Sequence, residues 1–236
     1  TRNVTTGALS GTSTIVTGSG PYIICISADG ASVYVTNLLG STVSIFTRNV
    51  TTGALSGTST IVTGSGPYII CISADGASVY VTNLLGSTVS IFTRNVTTGA
   101  LSGTSTISTG SSTYPVGICI SADGSSVYAT NYNAATVSIF TRNVTTGALS
   151  GTSTIATPSN GNVAVCISAD GASVYVVQQT ISYVLRFIRN LTTGALTSAG
   201  GLPTGSGPSD ICISADGASV YVTDSNSNRV SIFTRS

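Results

Sequence analysis

The sequence predicts an all-β fold: a single-domain, five-bladed β-propeller of four-stranded blades spanning residues 1–236. Three observations carry this expectation. Similar segments reading Thr-Arg-Asn, once Ile-Arg-Asn and at the end Thr-Arg-Ser, start at Thr1, Thr47, Thr93, Thr141, Ile188 and Thr234, at spacings of 46, 46, 48, 47 and 46 residues. A period of this length marks repeat architectures whose units bury their cores against one another. Each period holds four short segments of β-type patterning and none with helical periodicity. The chain also opens in the fourth segment of one repeat and finishes after the third of another. Residues 1–17 are therefore expected to complete the last blade, three strands plus one, closing the ring and hiding two strand edges.

Within the first full period the elements follow in order. Tyr22–Ser27 (YIICIS) is continuously apolar, the pattern of a strand covered on both faces. Asp29-Gly30 predicts a two-residue hairpin, because glycine tolerates positive φ. Ser32–Asn37 (SVYVTN) alternates, with Val33 and Val35 on one side and Tyr34 and Thr36 on the other. A turn at Leu38–Ser41 leads into Thr42–Thr47 (TVSIFT), and a second at Arg48–Gly53 leads into Ala54–Val62, the most polar strand. Hydrophobicity falling from first strand (A) to fourth (D) describes a propeller blade, with A at the axis and D facing solvent. Each buried Val or Ile supplies about 1.5–3 kcal/mol, so stacked blades hold together without disulfides. A solenoid needs capping repeats of different character, and none is visible. Residues 1–46 and 47–92 are identical, and drift is greatest at Val176–Phe187.

Composition narrows the function. Charged residues make up 6% of the chain, against about 25% in an ordinary globular protein. All eight cations are Arg and all seven anions are Asp, so no basic patch points to nucleic acid. Mean hydropathy is positive, yet the longest apolar runs are far shorter than the ~20 residues of a membrane helix, so no membrane span is expected. The chain does not begin with Met, which fits a processed protein and an extracellular or cell-surface address.

The reactive residue types are few. His and Glu are absent, and Asp29, Asp75, Asp123, Asp170 and Asp216 all sit in the A–B hairpin, where Asp is a turn former. Asp210 and Asp224 lie outside it, with Arg229 nearby in sequence, and two readings stand for them, a small polar site in the last blade or ordinary drift at exposed loops. No catalytic residue, metal site or cofactor is assigned from this set, and the reading is non-enzymatic. Cys25, Cys71, Cys119, Cys166 and Cys212 repeat at one position in strand A, a blade apart, and are expected as five free thiols. Arg2, Arg48, Arg94, Arg142, Arg189 and Arg235 emerge on the same face as the hairpin aspartates, suggesting exposed pairs worth ~0–1 kcal/mol. Asn3, Asn49, Asn95, Asn143 and Asn190 each open an N-x-Thr sequon in the C–D turn, expected to carry glycans. On the opposite face, Leu38, Leu39, Leu84, Leu85 and Tyr132 of the B–C loops and Tyr22, Tyr68 and Tyr114 of the D–A entries converge on one mouth, a candidate interface.

The segment "ISADGASVYVTNLLGSTVSIFTRNVTTGAL" resembles the lactonase-like, YVTN-type β-propeller repeat, and the resemblance runs blade by blade through the chain. It implies a propeller, often of seven blades, found in sugar-lactone hydrolases and in many surface-layer proteins. The chain departs from that pattern in having five repeats and in lacking the His and Glu side chains of the enzyme branch. The reading placed first is therefore an extracellular structural subunit that self-associates into fibres or a surface array. A lectin-like carbohydrate-binding propeller is the alternative, and a sugar-lactone hydrolase relative comes after it.

Overall fold

In a computed structural model that describes residues 5–6, 8–11 and 13–235, the chain is all β, in five antiparallel sheets that follow one another in sequence. Blade 1 comprises β1 (Pro21–Ile26), β2 (Ser32–Asn37), β3 (Thr42–Arg48) and β4 (Leu55–Val62). Blade 2 is β5 (Pro67–Ile72), β6 (Ser78–Asn83), β7 (Thr88–Arg94) and β8 (Leu101–Ser108). Blade 3 is β9 (Pro115–Ile120), β10 (Ser126–Asn131), β11 (Thr136–Arg142) and β12 (Leu149–Ala156). Blade 4 is β13 (Asn162–Ile167), β14 (Ser173–Gln178), β15 (Tyr183–Arg189) and β16 (Leu196–Pro203). Blade 5 has β17 (Pro208–Ile213), β18 (Ser219–Asp224) and β19 (Arg229–Thr234), three strands among the described residues.

Blades 1 to 4 are meanders in strict A-B-C-D order, as the falling hydrophobicity predicts, and blade 5 shows A-B-C among the described residues. The A–B hairpin differs in detail from the sequence expectation. Ser27 N–H donates to Ser32 O and Gly30 N–H to Ser27 O, so the loop has four residues rather than two, with Gly30 at φ +68°. Asp29 organises it by accepting from the Ala31 N–H (2.9 Å) and the Ser27 hydroxyl (2.5 Å). Strands C and D pair through a register shift between Ile45 and Thr47, where Gly57 at φ +65° supplies the left-handed residue of a bulge.

The core lies between blades. All six residues of β2 are buried, with Tyr34 against blade 2 on one face and Val33 and Val35 beneath Ile15 on the other. Tyr34 and Val43 of blade 1 pack against Ile70, Val79, Val81, Phe92 and Leu101 of blade 2, and equivalent clusters join the later blades. A second joint is polar. Arg94, at the end of β7, reaches back to blade 1 and donates to the Tyr34 hydroxyl (2.7 Å), Asp29 (2.9 Å) and Ser32 Oγ (3.0 Å). Tyr34 in turn donates to Gly99 O (2.7 Å) in the C–D turn of blade 2. The pattern recurs in Arg142–Asp75, Arg189–Asp123 and Arg235–Asp170. These arginines were expected in exposed pairs. Instead the Arg94 side chain is 1% exposed, and the partner is the hairpin of the preceding blade.

The ring closure expected of residues 1–17 is not seen among the described residues. Ile15 packs over Val33, Val35 and Phe46 of blade 1. The rest of that face and the outer face of the last blade are exposed: Ile24 is 65% exposed where its identical copy Ile70 is 6% exposed, and Ile232 is 69% exposed. Asn3 also lies outside the described residues, whereas Asn49, Asn95, Asn143 and Asn190 are exposed. Each of these four accepts two backbone N–H bonds through its side-chain oxygen, as Asn49 does from Thr51 and Thr52 at 2.9 Å each, so the turn uses the asparagine structurally. All five cysteines are free thiols, four of them half-buried and Cys212 exposed. Burial pushes the Cys25 and Cys166 thiols up to about 12.

Candidate functional site

The A strands converge at their starting ends on a cavity of about 710 Å³. Its wall is set by the second and third residues of every A strand: Tyr22-Ile23, Tyr68-Ile69, Val116-Gly117, Val163-Ala164 and Ser209-Asp210. Four blades therefore present apolar or aromatic groups, and blade 5 presents a hydroxyl and a carboxylate. Gly117 makes this packing possible, since a Cβ there would lie 2.6 Å from Thr130 Oγ1 and 3.2 Å from the Ala164 Cα of the next blade.

Tyr22 and Tyr68 occupy the same position in identical repeats, and the blade spacing brings their rings together at 4.4 Å between centroids and 32° between planes. Their hydroxyls share one hydrogen bond of 2.5 Å. Burial, and then this bond, raise the Tyr68 phenol above its usual range. Tyr114 reaches the mouth differently. It stands at φ +50° where the other D–A loops use glycine (Gly20 at +66°, Gly66 at +67°, Gly207 at +68°). Holding a bulky side chain in that region costs of order 1–3 kcal/mol, a strain characteristic of functional positions. Tyr132, from the B–C loop of blade 3, and Gln179, just after β14, complete the polar rim. Asp210 Oδ1 accepts from the Ile211 N–H (2.8 Å), and the Ser209 hydroxyl bonds that of Thr223 (2.9 Å).

The structure sorts the candidate interface residues. Tyr22, Tyr68, Tyr114, Tyr132 and Leu84 line the cavity, and Leu38, Leu39 and Leu85 do not. Leu39 and Leu85 lie across the D–A loops, close enough that a Cβ on Gly20 or Gly66 would come within 2.7 and 2.9 Å of their Cγ atoms. The polar site inferred in blade 5 is divided. Asp210 joins the cavity, while Asp224 and Arg229 line a separate shallow groove, with Asp224 buried and accepting from Ser231 Oγ (2.6 Å). Gln179 and Ser209 were not picked out from the sequence. Alignment of the repeats carries the signal for Ser209, which stands where blades 1 and 2 have tyrosine.

Five consecutive meander sheets whose inner strands line one cavity are the architecture of a β-propeller, and the cavity is its candidate site. Residues 3–165 and 152–236 match the sequence model of the family described as lactonase, 7-bladed beta-propeller, and the chain belongs to that family. Among solved structures, the chain resembles a presumed 6-phosphogluconolactonase from Bacteroides uniformis (19% identity, 89% of this chain and 66% of that one, TM-score 0.80). It also resembles a protein from Lactobacillus plantarum (20%, 92% and 67%, TM-score 0.82) and the periplasmic gluconolactonase of Pseudomonas aeruginosa (20%, 89% and 65%, TM-score 0.77). The chain thus spans about two thirds of the length of these proteins, and its five sheets stand against the seven blades of the family. No curated protein sequence matches it.

Family membership corrects two expectations, the non-enzymatic reading and the structural, self-assembling role placed first. The first rested on the absence of His and Glu, and the second also on the repeated sequence and the low charge. Ester hydrolysis asks for a base and for hydrogen-bond donors, and those roles are open to Asp, Tyr and Gln as well.

Proposed function

We propose that this protein hydrolyses a sugar lactone at the mouth formed by the A strands. Family membership is the observation that carries the reading, and the cavity supplies its chemistry. The stacked Tyr22–Tyr68 pair offers an aromatic face for the apolar side of a sugar ring. Asp210 is the one carboxylate lining the cavity among the described residues, and it acts as general base on the attacking water. Water adds to the lactone carbonyl, the proton passes to Asp210, and the tetrahedral oxyanion accepts hydrogen bonds from phenol or amide donors on the rim. Collapse breaks the ring C–O bond, and the proton returns to the departing alkoxide, giving the open hydroxy acid.

The test is lactone hydrolysis followed in a pH-stat with 1,5-gluconolactone, corrected for the spontaneous rate. Asp210→Asn is expected to lower kcat/KM by roughly 10²–10⁴-fold with unchanged thermal unfolding. A wild-type rate equal to the spontaneous one overturns the reading. An extracellular address with glycans on the exposed Asn49, Asn95, Asn143 and Asn190 belongs to the same proposal. Peptide mass spectrometry of native secreted material that finds these asparagines bare counts against it.

A further inference from the structure

We infer that the mouth selects an uncharged sugar lactone over its phosphorylated counterpart, with Asp210 as the specificity-determining charge, an inference that rests on the hydrolase reading above. The two chemistries are those of the structural relatives, a presumed 6-phosphogluconolactonase and a gluconolactonase, so the fold alone does not choose between them. The distribution of charge in this chain does.

A phosphate dianion needs a counter-charge or a cluster of oriented N–H groups. The sequence has no Lys or His, so only Arg can serve as the cation. Among the described residues no Arg lines the cavity. Arg94, Arg142, Arg189 and Arg235 are committed to the clamps between blades, which gather at the far ends of the strands. Arg48 donates to Gly30 O at that same end. Arg186 faces a groove between blades 4 and 5, and Arg229 faces the shallow groove beside Asp224. With no helix among the described elements, no helix N-terminus supplies an anion site either. What faces a ligand is phenol, amide, hydroxyl, apolar surface and one negative charge. These groups suit the neutral hydroxyls of a sugar, and Asp210 repels an anion for which the lining holds no cation.

The experiment compares kcat/KM of the full chain for 1,5-gluconolactone and for its 6-phosphate at 20 mM and 500 mM salt. The neutral lactone is expected to be favoured at least tenfold at low salt, and the ratio should shrink as salt screens the repulsion. Ser209→Arg places a cation beside Asp210 and is expected to move the preference toward the phosphorylated substrate. Equal or better turnover of the phosphorylated lactone by the wild type overturns the inference and leaves the hydrolase reading standing. A preference indifferent to salt and to Ser209→Arg assigns selectivity to shape and overturns the role of Asp210. Turnover of neither lactone overturns the hydrolase reading instead. In that case calorimetric titration with gluconate and 6-phosphogluconate still reads selectivity, and equal or tighter binding of the phosphate overturns the inference too.

Discussion

Arg48 and Arg94 occupy the same position in identical repeats, yet the chain places them in different environments. Arg94 is 3% exposed and holds the Tyr34 hydroxyl, Asp29 and Ser32 of the preceding blade, whereas the bond shown for Arg48 is to Gly30 O of its own blade. Arg94→Ala is expected to cost about 2–4 kcal/mol, because several charge-assisted hydrogen bonds between blades vanish together. Arg48→Ala should cost under about 1 kcal/mol. Urea unfolding of the two variants measures the difference, and equal losses contradict the clamp. The same joint sets an acid limit. Bonds from the Ser27 hydroxyl and the Ala31 N–H, with the Arg94 guanidinium, hold the Asp29 carboxyl down to about 2. Asp170 is held there by Ser168, the Ala172 N–H and Arg235. Groups with lowered native values stabilise the fold above the ordinary carboxylate range and lose that contribution as pH falls toward 2. The melting temperature is therefore expected to stay level from neutral pH to about 4.5 and to fall between about 4 and 2. Asp29→Asn should flatten part of that fall.

At the scale of the blade, pairing was legible in the sequence and burial was not. The four strands and their order could be read because period-2 alternation and the Asp-Gly and Thr-Gly turns repeat with little change. The same alternation cannot say whether a neighbour covers a face. Ile24 and Ile70 share every sequence neighbour in their repeats, and they differ tenfold in exposure because only Ile70 has a blade on its outer side. Ile70→Ala should therefore cost about 2–5 kcal/mol, and Ile24→Ala less than about 1 kcal/mol. Matched equilibrium unfolding curves decide this, and a similar cost at both sites means that the outer face of blade 1 is covered in solution. The buried Arg clamps escaped the sequence reading for a related reason: an Arg at a strand end looks exposed until the preceding blade is in place.

For the molecule as a whole, the site was partly legible. Tyr22 and Tyr68 stood out by repetition, and Asp210 as a carboxylate outside the hairpins. Ser209 and Gln179 lie in stretches where single changes read as drift. Grouping Tyr114 with Tyr22 gave the right mouth, although Tyr114 stands at a glycine position of the loop. The absence of His and Glu did not decide the activity, because the roles an ester hydrolysis requires are open to Asp, Tyr and Gln. The central claim is that a neutral sugar lactone sits among these groups. NMR of the isotopically labelled protein, titrated with the hydrolytically inert lactam analogue of gluconolactone, tests it most directly. The account predicts saturable shifts in the ring signals of Tyr22, Tyr68 and Tyr114 and in the Ser209–Ile211 amides, with Asp29, Asp75 and Asp123 at the far end unmoved. Shifts centred on the hairpin aspartates or on the Arg186 groove, or no saturable shift at all, would contradict it.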